Sequence, residues 1–133
     1  MHLMRWTTMK ELTNDIIGAA VEVHRYLGPG LLESTYEECI CQEFQIREIP
    51  FQRQAPLRLH YKGLDMKEKH RVDVVVAGRV ALELKAVEAL LPVHDAQLLS
   101  YLRLGRWPVG LLINFHVPVL TEGIRRKVWQ YKE

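Results

Sequence analysis

Two carboxylates and a lysine stand in otherwise apolar stretches of this chain. Asp73 lies within Val72-Asp73-Val74-Val75-Val76, and Glu83 and Lys85 lie within Val80-Ala81-Leu82-Glu83-Leu84-Lys85. Charge in such surroundings is costly unless it is paired or bound to a metal. The stretches read as two strands joined by a turn at Ala77-Gly78-Arg79. With a three-residue turn, Val76 meets Val80 and Asp73 meets Glu83. Side chains alternate along a strand, so Glu83 and Lys85 share a face. The opposite face then carries Val72, Val74, Val76, Val80, Leu82 and Leu84, all apolar. A two-residue turn would move Glu83 onto that face, so the pattern selects the three-residue register. Facing carboxylates, about 5 Å apart at Cβ, repel. A hard divalent cation between them, Mg²⁺ or Mn²⁺, removes the repulsion. Lys85 is placed to offset charge on a phosphate or to help activate water. The plainer alternative is a salt bridge from Lys85 to one acid, with the other acid solvated.

The elements that must position these groups follow from periodicity. Leu12, Ile16, Ala19, Ala20, Val23 and Leu27 recur at helical spacing over residues 9–27, and Gly28-Pro29-Gly30 ends that helix. A second helix is expected over about 31–47, with Leu32, Tyr36, Cys39, Ile40 and Phe44 as its stripe. Residues 51–61 alternate as a strand, in which Pro56 marks an edge or a bulge. The hairpin of 70–86 comes next. Pro92 opens a helix over about 92–104 that Gly105 ends. Residues 109–115 read as a buried strand and 124–129 as a short last one. The order α, α, β, β, β, α, β, β gives an α/β or α+β sandwich, a mixed sheet flanked by helices. The link from the Glu83 strand through the 92–104 helix to strand 109–115 is a parallel crossover.

Two further sets of residues could join the acids. Gln97 and Tyr101 are four apart on the crossover helix and share a face, with His94 on the same stripe and Leu98 and Leu102 directed to the core. Gln97 could orient a water or a phosphate, and Tyr101 could donate to a phosphate oxygen; the alternative is a helix with two polar residues facing solvent and a half-buried tyrosine. The second helix opens with Gly30-Leu31-Leu32-Glu33-Ser34-Thr35-Tyr36. The helix dipole alone accounts for Glu33 in its first turn, and core packing accounts for Tyr36.

At 133 residues, 48% hydrophobic and 26% charged, the chain is sized for one domain, 1–133, with a real core. Its net charge of +2 is close to neutral. Local basic strips exist at Lys67, Lys69, His70 and Arg71, at Arg103 and Arg106, and at Arg125, Arg126 and Lys127; each reads as a solvated face or as a phosphate contact. Cys39 and Cys41 are two apart on a helix and point in different directions, and no zinc pattern exists. No apolar run is long enough to span a membrane, and the first residues lack a signal-peptide core, so a cytoplasmic setting is expected.

Asp73 with Glu83-Leu84-Lys85 and then Gln97-x-x-x-Tyr101 resembles the PD-(D/E)xK nuclease superfamily in its RecB-like branch. Gly30-Leu31-Leu32-Glu33-Ser34-Thr35-Tyr36 resembles the signature of the GxxExxY proteins, which are placed in that superfamily. The resemblance spans about residues 10–130 and implies a restriction-endonuclease-like core. It implies metal ligands at Asp73, Glu83 and the Leu84 carbonyl, completed or oriented by Glu33, with Lys85 catalytic and Gln97 and Tyr101 forming the RecB-like motif. The residue before Asp73 is Val72, where the superfamily pattern has proline. The implied activity is Mg²⁺- or Mn²⁺-dependent phosphodiester hydrolysis in nucleic acid, DNA foremost. Two rivals share the fold: a catalytically silent nucleic-acid-binding module, and an interaction domain that works with a protein partner or as a homo-oligomer.

Overall fold

The computed structural model describes residues 5–132, without the side chains of Lys67 and Glu68, so the reading of Lys67 as part of a basic strip lies outside the described residues. Helix α1, Met9–Leu27, starts where the Thr8 hydroxyl accepts a hydrogen bond from the Glu11 amide and stops at Gly28, whose φ of 71° only glycine adopts at no steric cost. Its stripe of Leu12, Ile16, Ala19, Ala20 and Val23 is buried as the spacing predicts. Helix α2, Glu33–Ile46, is held to α1 by Tyr36. The Tyr36 ring is fully buried and stacks on Phe115, with centroids 4.4 Å apart. Its hydroxyl donates to the Gly28 carbonyl and accepts from the Leu31 amide, tying down the Gly28-Pro29-Gly30 turn. Tyr36 is therefore a core residue with a satisfied hydroxyl.

The sheet has five strands in the order of the sequence. These are β1 (Phe51–Tyr61), β2 (Leu64–Val76), β3 (Val80–Lys85), β4 (Val109–Asn114) and β5 (Ile124–Val128). Only β3 and β4 run parallel, joined through α3, Pro92–Gly105. Helices α1 and α2 cover one face, packing against Val74, Val76, Leu82, Leu84, Leu111 and Ile113. Helix α3 covers the other, with Leu98, Tyr101 and Leu102 against Ala55, Val75, Ala81 and Leu112. This mixed sheet flanked by helices is what the order of elements predicts, and it has the restriction-endonuclease-like α/β form that the resemblance implies.

The β2–β3 turn has three residues. Val76 pairs with Val80 and Val74 with Leu82, and Ala77 and Gly78 both take positive φ. One part of the face assignment is corrected. Val72 does not lie with Val74 but in the cluster under α3, on the side of Ala81 and hence of Glu83. The cause is a change of face that β1 and β2 make together. On β1, Arg53 reaches toward α2 while Ala55 and Leu57 pack under α3, and Gln54 between them has φ 53°. On β2, Val74 and Val76 face α1 and α2 while Val72 faces α3. Arg53 pairs with Val74 and Ala55 with Val72, so the reversal falls at Gln54 and Asp73. The register survives, and strict alternation does not.

Sequence reading also stopped β1 at Tyr61 without seeing that the chain folds straight back. The return strand begins at Leu64, after Lys62 and Gly63 at φ 45° and 90°. Lys-Gly lacks the Asn-Gly or Asp-Gly signature of such turns. Pro56 sits on an edge strand, and the register shifts between Leu57 and Leu59, as that proline suggested. Gly105 does not end α3. It is the last helical residue, and Arg106 takes the left-handed conformation at φ 59° while the Trp107 ring fills the space where a side chain on Gly105 would sit.

Close packing of α3 on β4 depends on Gly110. A Cβ there would approach Leu98 Cδ1 to 2.9 Å and Leu102 Cδ2 to 3.0 Å. Gly110→Ala is expected to push α3 outward and cost about 1–3 kcal/mol, as overpacking does. Urea denaturation checks this, and an unchanged midpoint would show that the two leucines yield freely.

Candidate active site

The β2–β3 ladder ends at Val74 and Leu82, one pair before the acids. Beyond it each acid bonds to the opposite backbone. The Asp73 amide donates to Glu83 Oε2 at 2.9 Å, and the Leu84 amide donates to Asp73 Oδ2 at 2.8 Å. Carboxylates thus take the places that carbonyls hold in a regular ladder, and the two side chains converge where the strands part. Among the described residues, Asp73 Oδ1 and Glu83 Oε1 have no hydrogen bond.

Burial sets the electrostatics. It raises the Asp73 carboxyl above its ordinary value, although the Leu84 amide opposes it. Glu83 is pushed up to about 8, first by burial and next by the charge of Asp73. The second acid therefore holds its proton at neutral pH unless a cation replaces it. Lys85 sits half-buried at the end of β3, and its charge lowers both acids. It forms no ion pair within 4.0 Å among the described residues, so the plainer reading of a Lys85 salt bridge is not what the side chains do.

Glu33 lies in the first turn of α2, exposed. Its charge reaches Asp73, but no group of three or more acidic, histidine or cysteine side chains close enough to hold a metal exists among the described residues. Glu37, one turn further on, was not singled out from the sequence. It is buried at 9% exposure, accepts from Arg53 Nε at 2.7 Å and from Gln54 Nε2 at 2.9 Å, and its charge raises both Asp73 and Glu83. Gln54 is the residue across from Asp73 where the strands change face. Glu37 thus fastens that reversal to α2. The available signal was its i+4 spacing from Glu33 beside a core tyrosine.

On the α3 side, Gln97 Nε2 donates to the Tyr101 hydroxyl at 3.2 Å, and His70 Nδ1 lies 3.2 Å from the same oxygen. Tyr101 is raised above its ordinary value by burial and then by the charge of Glu83. The stripe of Gln97 and Tyr101 lies on the same side of the sheet as Ala81 and hence Glu83, while Leu98 and Leu102 enter the core. His70 was read only as part of a basic strip. Strict alternation puts residues 70 and 73 on opposite faces, and only the reversal at Asp73 brings His70 to this side. His94, on the same stripe, accepts from the Leu91 amide through Nδ1 and caps α3. Asp95 anchors α3 to β5 through Arg125 at 2.6 Å and Lys127 at 3.1 Å, which takes those two residues out of a free basic strip. A cleft of about 500 Å³ lined by Trp6, Phe51 and Arg79 lies at the turn end of the hairpin and is separate from these groups.

No helix among the described residues is long and apolar enough to cross a membrane. Neither the curated proteins nor the solved structures yield a match to the chain. A family profile matches residues 10–127, from the second residue of α1 to the penultimate residue of β5 and so across both acids, Lys85 and the crossover helix. With that match over nearly the whole fold, the chain belongs to the PD-(D/E)XK nuclease superfamily.

Proposed function

We propose that this protein is a metal-dependent nuclease that hydrolyses phosphodiester bonds in DNA. The observation that carries the reading is the pair of carboxylates, Glu83 buried and Asp73 half-buried, converging where β2 and β3 part, each with one oxygen uncommitted. Hard oxygen donors with a carboxyl that ionises reluctantly fit a small divalent cation, Mg²⁺ or Mn²⁺. Asp73, Glu83 and the Leu84 carbonyl would hold it, with Glu33 contributing through water from the start of α2. When bound, the cation supplies water activation and neutralises charge at phosphorus. Lys85, unpaired by either acid, offsets the negative charge that grows on the phosphate oxygens. Gln97 and Tyr101, linked to each other and to His70, orient the phosphate or the attacking water along the α3 edge. The arrangement of these residues supports placement in the RecB-like branch, and Gly30 to Tyr36 supports the GxxExxY group within it. The two free cysteines suit a reducing, cytoplasmic setting.

The raised acids make stability depend on pH. A carboxyl whose folded pKa exceeds its unfolded value binds its proton more tightly in the native state, so stability is lost as pH rises through that interval. In EDTA the melting temperature is expected to fall between pH 4.5 and about 8, the interval of Glu83. Mn²⁺ should reverse the fall, and Glu83→Gln should flatten it. A flat profile in the unsubstituted protein would show that Glu83 ionises freely in the fold.

Lys85→Ala is expected to lower cleavage of single- or double-stranded DNA by roughly 10²-fold or more, the scale of losing one transition-state donor. Mn²⁺ affinity by calorimetry should stay close to that of the unsubstituted protein and vanish in Asp73→Ala. Retained Mn²⁺ binding with no cleavage by the unsubstituted protein would assign it to the catalytically silent rival.

Tyr101→Phe removes the hydroxyl shared by Gln97 and His70 and keeps the buried ring. Turnover should drop while the melting temperature moves little. An equal rate in both proteins would confine Tyr101 to packing.

A further inference from the structure

We infer that the outer part of the β1–β2 hairpin is an arm that grips duplex DNA beyond the scissile phosphate. The inference rests on the nuclease reading only in taking nucleic acid as the ligand. Strand β3 pairs with β2 from Val74 to Val76 and no further, and α3 buries Leu57 and Val72 as the last core residues of the hairpin. Past them β1 and β2 continue with only each other as neighbours in the sheet, pairing Leu59 with Met66, His60 with Asp65 and Tyr61 with Leu64. At about 3.3 Å per residue, the stretch from Arg58 to the Lys62-Gly63 turn reaches roughly 15–20 Å, the length of about five base pairs.

A two-stranded ribbon without a core must order its backbone at a cost of about 1–2 kcal/mol per residue, and such ribbons are marginal alone. Charge on an exposed edge discourages strand pairing. That explains polar residues on the ribbon but not the ribbon's length. The charge balance points to a polyanion. Residues 57–71 contain five Lys or Arg against two Asp or Glu, with His60 and His70 in addition, while the whole chain has a net charge of only +2. The remainder of the molecule is thus slightly negative, and the net positive charge lies on the hairpin that extends past β3. Arg58, Lys62 and Lys69 are exposed. At the tip, Tyr61 and Leu64 are 62% and 57% exposed, with Lys62 Nζ 5.3 Å from the Tyr61 ring centroid. A basic ribbon with an apolar, aromatic tip suits a duplex: the cations meet phosphates, and the tip enters a groove or wedges at a base step. B-form DNA admits a two-stranded ribbon in its major groove, whereas the deep, narrow groove of duplex RNA does not. Because β2 extends from the arm through His70 to Asp73, the arm and one of the two acids are held on one strand.

The test is duplex binding by fluorescence anisotropy in the Lys85→Ala background, using a 30-base-pair DNA over a range of salt. The comparison is the same chain with Arg58→Gln, Lys62→Gln and Lys69→Gln. Loss of three phosphate contacts should weaken affinity about tenfold or more at low salt and reduce the slope of log K against log salt by about 0.9 per contact. Melting temperature and Mn²⁺ affinity should be unchanged, which separates a failed arm from a failed metal site. Tyr61→Ala should weaken binding without altering the salt slope. Equal affinity and equal slope in the triple variant would overturn the arm while leaving the nuclease reading intact. Stronger binding of single strands than of the duplex, lost in the same variant, would overturn the duplex assignment. Self-association abolished by Tyr61→Ala with duplex affinity unchanged would assign the arm to a second copy of the chain and overturn the proposal.

Discussion

The substitution of two carboxylates for two backbone carbonyls at the parting of β2 and β3 is the constraint on which the rest of the site depends. A strand that leaves its neighbour exposes amides that need acceptors, and a buried amide without one costs about as much as a lost hydrogen bond. Here Asp73 and Glu83 supply the acceptors, each to the other's strand. The same bonds that end the ladder hold the acids together. Binding geometry and strand separation are thus one feature, and neither acid could be removed without also leaving an amide unsatisfied.

The surrounding elements act on that junction from two sides. Helix α2 reaches it through Glu37, which fixes Arg53 and Gln54 and thereby the change of face opposite Asp73. Helix α3 reaches it through Tyr101, which meets Gln97 from its own helix and His70 from β2. Glu37 also adds a negative charge near two acids that already ionise reluctantly. That works against a metal-free, fully ionised site and favours any state in which a cation is present.

Most of the fold was legible because it follows local periodicity. The helices, the three-residue turn and the crossover all have strong patterns, and the pairing of Val74 with Leu82 follows from the apolar residues around Glu83. What escaped was nonlocal. No rule of alternation anticipates that β1 and β2 turn over together at Gln54 and Asp73, where Gln54 is bonded to a helix residue, Glu37, distant in sequence. That single reversal accounts for the misplacement of Val72 and for the unrecognised position of His70. The Lys62-Gly63 turn escaped for a different reason: lysine at positive φ is uncommon, and the charged run from Asp65 to Lys69 shows no strand period. Glu33 shows the converse, a residue prominent in the sequence motif that stands exposed at the helix start while the buried acid beside the site is Glu37.

The two rims of the sheet differ from its centre in a way that bears on colloidal behaviour. Open sheet edges invite pairing between molecules unless something blocks them. On β5 the outer rim is only Ile124–Val128, a short strand, and short edges offer few bonds to a second molecule. On β1 the rim is interrupted by Pro56, which has no amide to offer, and by the register shift after Leu57. The row of amides and carbonyls that a second molecule would need is therefore broken on one side and short on the other. The apolar strands β3 and β4, the most aggregation-prone in composition, are shielded between them.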